Sequence, residues 1–134
     1  MAAGLGTRMK SNRAKVLHEL GGSPMVAHVV RAAQQLQPRS IIVIVGHQAE
    51  EVQQAVVAEA GELATFVVQE KQRGTGDAVE SARSLLENSG SLVVVLSGDV
   101  PMMRAETLKN FIEHHNNSGA TCSILSVRLE NPTG

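Results

Sequence analysis

Two kinds of hydrophobic pattern take turns along this chain. Met25, Val26, Val29, Val30 and Ala33 recur at helical spacing. Ser23-Pro24 just ahead of them reads as a helix start, a capping serine followed by proline at the first helical position. Ile41–Val45 is then an unbroken apolar run ended by Gly46, the pattern of a strand buried on both faces. The spacing predicts a helix over residues 50–60 with Val52, Val56 and Ala60 inward, and a short strand over 65–68. A third helix is predicted over 77–86, with Val79, Ala82 and Leu86 inward. Residues 92–96 repeat the doubly buried strand pattern and run straight into Ser97-Gly98-Asp99. A helix over 107–115, packing Leu108, Phe111 and Ile112, and a strand over 121–127 complete the series. Strands alternating with helices imply an α/β fold, a mostly parallel sheet with helices on both faces.

Both ends read as cut. A glycine-rich phosphate loop normally leaves the carboxyl end of a buried strand, yet only Met1 precedes Ala2-Ala3-Gly4. The other end stops on the turn-like Asn131-Pro132-Thr133-Gly134. The expectation is one domain over residues 1–134, truncated on either side, with no linker and no repeat.

Composition narrows the function classes. A chain of 134 residues, 43% hydrophobic and 19% charged, can bury a core of its own. Twelve basic and thirteen acidic residues leave a net charge of −1, without the basic surface that duplex nucleic acid requires. Two Phe, with no Trp or Tyr, give little surface for stacking single-stranded bases. Cys122 is the only cysteine, so neither an intrachain disulfide nor a thiol zinc site is expected, and its apolar surroundings predict a buried structural thiol. Met102-Met103 reads as core. His18, His28, His47, His114 and His115 are spread over separate elements or faces and do not suggest a metal site. No apolar run is long enough to cross a bilayer and no signal peptide is evident, so the cytoplasm is the expected location.

The candidate chemistry sits in three places. Gly4 and Gly6 in the opening Ala2-Ala3-Gly4-Leu5-Gly6-Thr7-Arg8 would let backbone amides approach a triphosphate and adopt positive φ, with Arg8 and Lys15 adding charge. The loop has neither the Gly-Lys-Ser/Thr of a P-loop nor the third glycine of a dinucleotide fingerprint. By itself it fits an ordinary tight turn as well as a phosphate cradle. Gly74-Thr75-Gly76 presents backbone amides where a helix begins, with Thr75 able to cap it; an ordinary strand-to-helix turn has the same composition. Asp99, just past a buried strand, lies where open α/β sheets bind ligands, and Gly98 beside it would leave room for a metal-bound phosphate. A capping or turn aspartate is the alternative.

The chain resembles the N-acetylglucosamine-1-phosphate uridyltransferases, which form the N-terminal domain of a bifunctional bacterial enzyme. The similarity lies in Ala2-Ala3-Gly4-Leu5-Gly6-Thr7-Arg8-Met9, Lys15-Val16-Leu17-His18, Gly22-Ser23-Pro24-Met25, Gly46-His47, Gln69-Glu70-Lys71-Gln72-Arg73-Gly74-Thr75-Gly76, Gly98-Asp99-Val100-Pro101 and Asn131-Pro132-Thr133-Gly134. The resemblance implies a Rossmann-like nucleotidyltransferase domain that joins UTP and N-acetylglucosamine 1-phosphate, giving UDP-N-acetylglucosamine and pyrophosphate for peptidoglycan synthesis. It implies nucleotide contacts from Ala2, Ala3, Gly4, Lys15, Gln69, Gly74 and Thr75, with Gln69 on the uracil edge and Gln72 a further candidate. Arg8 and Lys15 would carry the catalytic charge, and Asp99 would be a ligand of Mg²⁺. Full-length relatives are implied to be trimers, with sugar contacts and an acetyltransferase half beyond residue 134. Ala14 stands where the family has proline, which implies a less rigid loop. Neighbouring sugar-1-phosphate or molybdenum-cofactor nucleotidyltransferases and a non-catalytic nucleotide-binding domain are the competing readings.

Overall fold

A computed structural model of the chain describes residues 1–4, 9, 11–71, 73–87, 90–128 and 130. Its framework is a pair of parallel strands, β3 (Ile41–Val45) and β4 (Ala64–Val68), in register from Ile41 opposite Ala64 to Val45 opposite Val68. Between them the chain runs through α2 (Ala49–Ala60) and a 3-10 turn (Gly61–Leu63), the crossover that parallel pairing demands. The five-residue run is buried on both faces, as its pattern predicts. Val43 and Val45 pack with Val26 and Val30 of α1 (Met25–Gln34) and with Val52 and Val56 of α2. Ile44 faces the other way, onto Ala78 of α3 (Thr75–Ser81) and Ala82. Helices therefore cover both faces of this α/β sheet.

The opening residues behave as a further strand of this sheet. The amide of Ala2 donates to the Ile44 carbonyl (2.8 Å). The α-ammonium of Met1 donates to the Leu96 carbonyl (2.8 Å), and the Met1 carbonyl accepts from the Gly98 amide (2.8 Å), the bond pair of a parallel bridge. Ala2 joins the core on the α1–α2 face and Ala3 the core on the α3 face, the alternation of extended chain. Residues 1–3 thus lie between β3 and residues 96–98.

Several expectations need correction. Residues 92–96 form no strand, and Leu92, Val93 and Val95 are exposed rather than buried. Among the described residues, Met1 at one end is what bridges this segment to the sheet. Alongside the rest of it runs a cleft of about 700 Å³ lined by Ile41, Ile42, Val43, Leu92, Val93 and Val94 among others. Along that cleft the segment has no ladder to join among the described residues. Residues 121–127 likewise form no strand, which leaves Cys122 exposed instead of buried. Met102 is 78% exposed and is not core.

Ser23-Pro24 does not start a helix as expected. Pro24 is the residue before α1, and the two form β2 (Ser23–Pro24), pairing antiparallel with β1 (Glu19–Leu20). Gly21 and Gly22, at φ 58° and 81°, make the two-residue hairpin turn that only such backbone freedom allows. The helix expected over 77–86 starts earlier and is broken at Ala82 (φ −94°, ψ 4°), with α4 (Arg83–Leu86) beyond it. At the break the amides of Ala82 and Leu85 bond three residues back, to Val79 and Ala82, so the helix tightens there. The last helix, α5 (Ala105–Ser118), is longer at both ends than its apolar pattern and stops at Gly119, which is left-handed. Among the described residues no helix is long and apolar enough to cross a membrane.

Candidate functional site

Four segments of parallel chain end on the same edge of the sheet. Residue 4 follows the opening strand-like residues, Gly46 follows β3, Gln69 follows β4, and Asp99 follows the bridge at residues 96–98. This is the carboxyl edge, where open α/β sheets leave a crevice for ligands.

Asp99 is held at that edge by close packing behind it. A Cβ on Gly98 would lie 2.9 Å from the Met1 carbonyl oxygen and 3.3 Å from Cγ1 of Val16. The glycine is therefore needed for the close approach of two backbones, a reason that the sequence did not show. Lys15 reaches the same place from a 3-10 turn (Lys15–Leu17) whose other residues, Val16 and Leu17, are anchored in the core. Its Nζ donates to Oδ2 of Asp99 at 2.7 Å, with the two side chains 40% and 35% exposed. The Lys15 hydrogen bond holds the Asp99 carboxyl below its usual range, against the opposing effect of burial. Burial also lowers the Met1 α-ammonium, while the Asp99 charge pushes it back up. Both side chains of the pair remain partly exposed and so within reach of a ligand.

Ala14 precedes the turn and is fully buried. Its φ of −54° would suit a proline, yet its amide donates to Oε1 of Gln48. Proline has no such donor, so Ala14 ties the lysine turn to the start of α2 by a bond that a proline would forbid. Ala14→Pro is expected to lower stability by about 1 kcal/mol, the lost hydrogen bond outweighing the entropy gained from proline. Chemical denaturation checks this, and Gln48→Ala should cost little more in the proline background.

The second part of the site is the turn from β4 into α3. Gln69 is only 5% exposed, and its amide nitrogen in the main chain donates to the Val45 carbonyl (2.8 Å). Its side-chain Nε2 donates to the Gly74 carbonyl (3.3 Å) and to Oδ2 of Asp77 (2.7 Å). Gly74 has φ 112° and ψ −177°, a backbone state reserved for glycine, and it occupies the capping position of α3. Thr75 is the first helical residue and makes no capping bond, contrary to the expected role. Both Gly74 and Thr75 are exposed, with their backbone at the helix start.

The structure brings Lys15 to Asp99 and Gln69 to Gly74, and sets both pairs at one sheet edge. Ala2 and Ala3 are buried, and the Ala2 amide is given to the Ile44 carbonyl. Gly4 is exposed and does not have the positive φ expected of it. Arg8, Gly6, Gln72 and the closing Asn131-Pro132-Thr133-Gly134 lie outside the described residues. No group of three His, Cys, Asp or Glu side chains able to hold a metal occurs among the described residues. A single carboxylate such as Asp99 suits an ion that takes its remaining ligands from phosphate and water, the habit of Mg²⁺, and not a protein-enclosed metal. Sequence reasoning missed Gln48 and Asp77. An acidic residue in the first turn of a helix was a visible signal for Asp77; Gln48 carried none.

Residues 1–132 match the MobA-like NTP transferase domain family. Over its whole length the chain is 46% identical to the bifunctional protein GlmU of Geobacter metallireducens, covering 28% of that protein. It is similarly 46% identical to the GlmU of Oceanobacillus iheyensis, covering 29% of it, and 45% identical to that of Corynebacterium aurimucosum, covering 28%. The chain thus spans under a third of the length of these relatives.

Proposed function

The chain belongs to the MobA-like NTP transferase domain family, and on that premise we propose that it is the nucleotide-binding part of a uridyltransferase. The whole enzyme joins UTP and N-acetylglucosamine 1-phosphate into UDP-N-acetylglucosamine, releasing pyrophosphate. The observation that carries this reading is the meeting of a cation–carboxylate pair and a buried amide on the carboxyl edge of one parallel sheet.

In this reading a phosphate oxygen of the sugar phosphate, already ionised at neutral pH, attacks the α-phosphorus of UTP in line. A new P–O bond forms as the bond to the β-phosphate oxygen breaks, and pyrophosphate leaves with that electron pair. No general base is required, so the protein's contribution is positioning and charge stabilisation. The ammonium of Lys15, with Arg8, offsets charge on the triphosphate and on the departing pyrophosphate. The backbone of residues 2–4 borders the phosphates, and Gly74 and Thr75 border the ribose and base. Gln69 meets the uracil edge. Asp99 would hold Mg²⁺, which when bound neutralises phosphate charge and orients the nucleotide.

Titration of the chain with UTP in the presence and absence of Mg²⁺ tests the reading. Mg²⁺ is expected to tighten UTP binding at least tenfold for the native chain and to have no effect in Asp99→Asn, which keeps the shape and loses the charge. An unchanged Mg²⁺ dependence in the variant would count against Asp99 as the ligand. A native chain indifferent to UTP would sink the function.

A further inference from the structure

We propose that Asp77 is a positioning residue that fixes the side-chain amide of Gln69 and thereby sets which pyrimidine the site accepts. This rests on the reading that Gln69 meets the base.

An amide side chain has a donating end and an accepting end, and by shape alone it fits either way round. Here its surroundings choose. The nitrogen end of Gln69 faces the Gly74 carbonyl at 3.3 Å and Oδ2 of Asp77 at 2.7 Å. A carbonyl and a carboxylate can only accept, so each of the two N–H groups has one partner. Turning the amide over would set its oxygen against two acceptors and forfeit both bonds, the stronger of them charge-assisted. Gln69 is 5% exposed, so water could not make good the loss. Asp77 is the third residue of α3, so the helix fixes where its carboxylate meets the amide.

The consequence is directional. With both hydrogens committed inward, the atom of Gln69 left to read a base is Oε1, an acceptor. Uracil offers a donor at ring nitrogen N3, whereas cytosine has a lone pair there. A fixed acceptor therefore admits uracil and repels cytosine at that position. In this arrangement the glutamine supplies the base with an acceptor alone.

The test is a titration of the chain with UTP and with CTP, both with Mg²⁺, for the native protein, Asp77→Asn and Asp77→Glu. Asparagine keeps the shape but can donate as well as accept, so the amide of Gln69 can turn over. The ratio of CTP to UTP dissociation constants is expected to fall about tenfold in Asp77→Asn and to recover substantially in Asp77→Glu. In the ligand-free native chain, the two Nε2 protons of Gln69 should exchange with solvent much more slowly than those of the exposed Gln35, an NMR reading that needs no variant. Equal weakening of both nucleotides in Asp77→Asn, an unchanged ratio, or fast exchange of the native Gln69 protons would each overturn the role of Asp77 while leaving UTP binding in place. A native chain that binds neither nucleotide would remove the uridine reading and this inference together.

Discussion

Replacing Lys15 by alanine is expected to weaken binding of Mg²⁺-UTP about thirtyfold while leaving the melting temperature within a few degrees of the native value. The ammonium sits beside Asp99 at the sheet edge, on a turn whose hold on the core comes from Val16 and Leu17 and not from the lysine itself. Losing one charge-assisted contact to phosphate removes about 2 kcal/mol of binding, which is the thirtyfold change. The fold should survive, because the partly exposed Asp99 left behind is hydrated and does not become a buried unpaired charge. Calorimetric titration reads the affinity and thermal melting reads the fold. An affinity within threefold of native would mean that Lys15 is only a surface partner of Asp99.

Gly98→Val should act through the fold instead. The first added carbon would already lie 2.9 Å from the Met1 carbonyl oxygen, and that carbonyl is the acceptor for the Gly98 amide. Backbone on one side and Val16 on the other leave no flexible group to give way. Separating the segments would break the parallel bridge at Met1 and carry Asp99 away from Lys15. Overpacking of this kind costs about 3 kcal/mol, which for a chain of this size lowers the melting temperature by on the order of 10 °C. UTP affinity should fall with it. A melting temperature unchanged within 2 °C would show that residues 96–98 are not packed against the opening of the chain.

How much of this was legible in the sequence depends on whether the deciding contact was local. β3, β4, α1, α2 and α5 follow from side-chain period, since Ile41–Val45 alternates between two helical layers and Val52 and Val56 share one helix face. Residues 92–96 carry the same apolar run as β3 and yet make no strand. A strand is a property of a pair, and among the described residues only Met1 bridges this segment to the rest of the sheet. The glycine pair at 21 and 22 was a readable hairpin signal that the nearby proline obscured. In the site, the resemblance named Lys15, Gln69, Gly74 and Asp99, and the fold supplies their meeting. Lys15 and Asp99 are 84 residues apart, and no periodicity links them. Gln48 acts through a contact with Ala14, 34 residues away, and Asp77 through one with Gln69, 8 residues away across a turn; neither belongs to a motif read in the sequence.

The most direct measurement is a map of backbone amide shifts in the isotope-labelled chain as Mg²⁺-UTP is added. Changes are expected to gather at Ala3, Gly4, Lys15, Gly46, Gln69, Gly74, Thr75 and Asp99, the residues of the carboxyl edge. Changes confined to the cleft between residues 41–44 and 92–96, or to the exposed stretch around Ile124, would place the nucleotide elsewhere and contradict the assignment of the site.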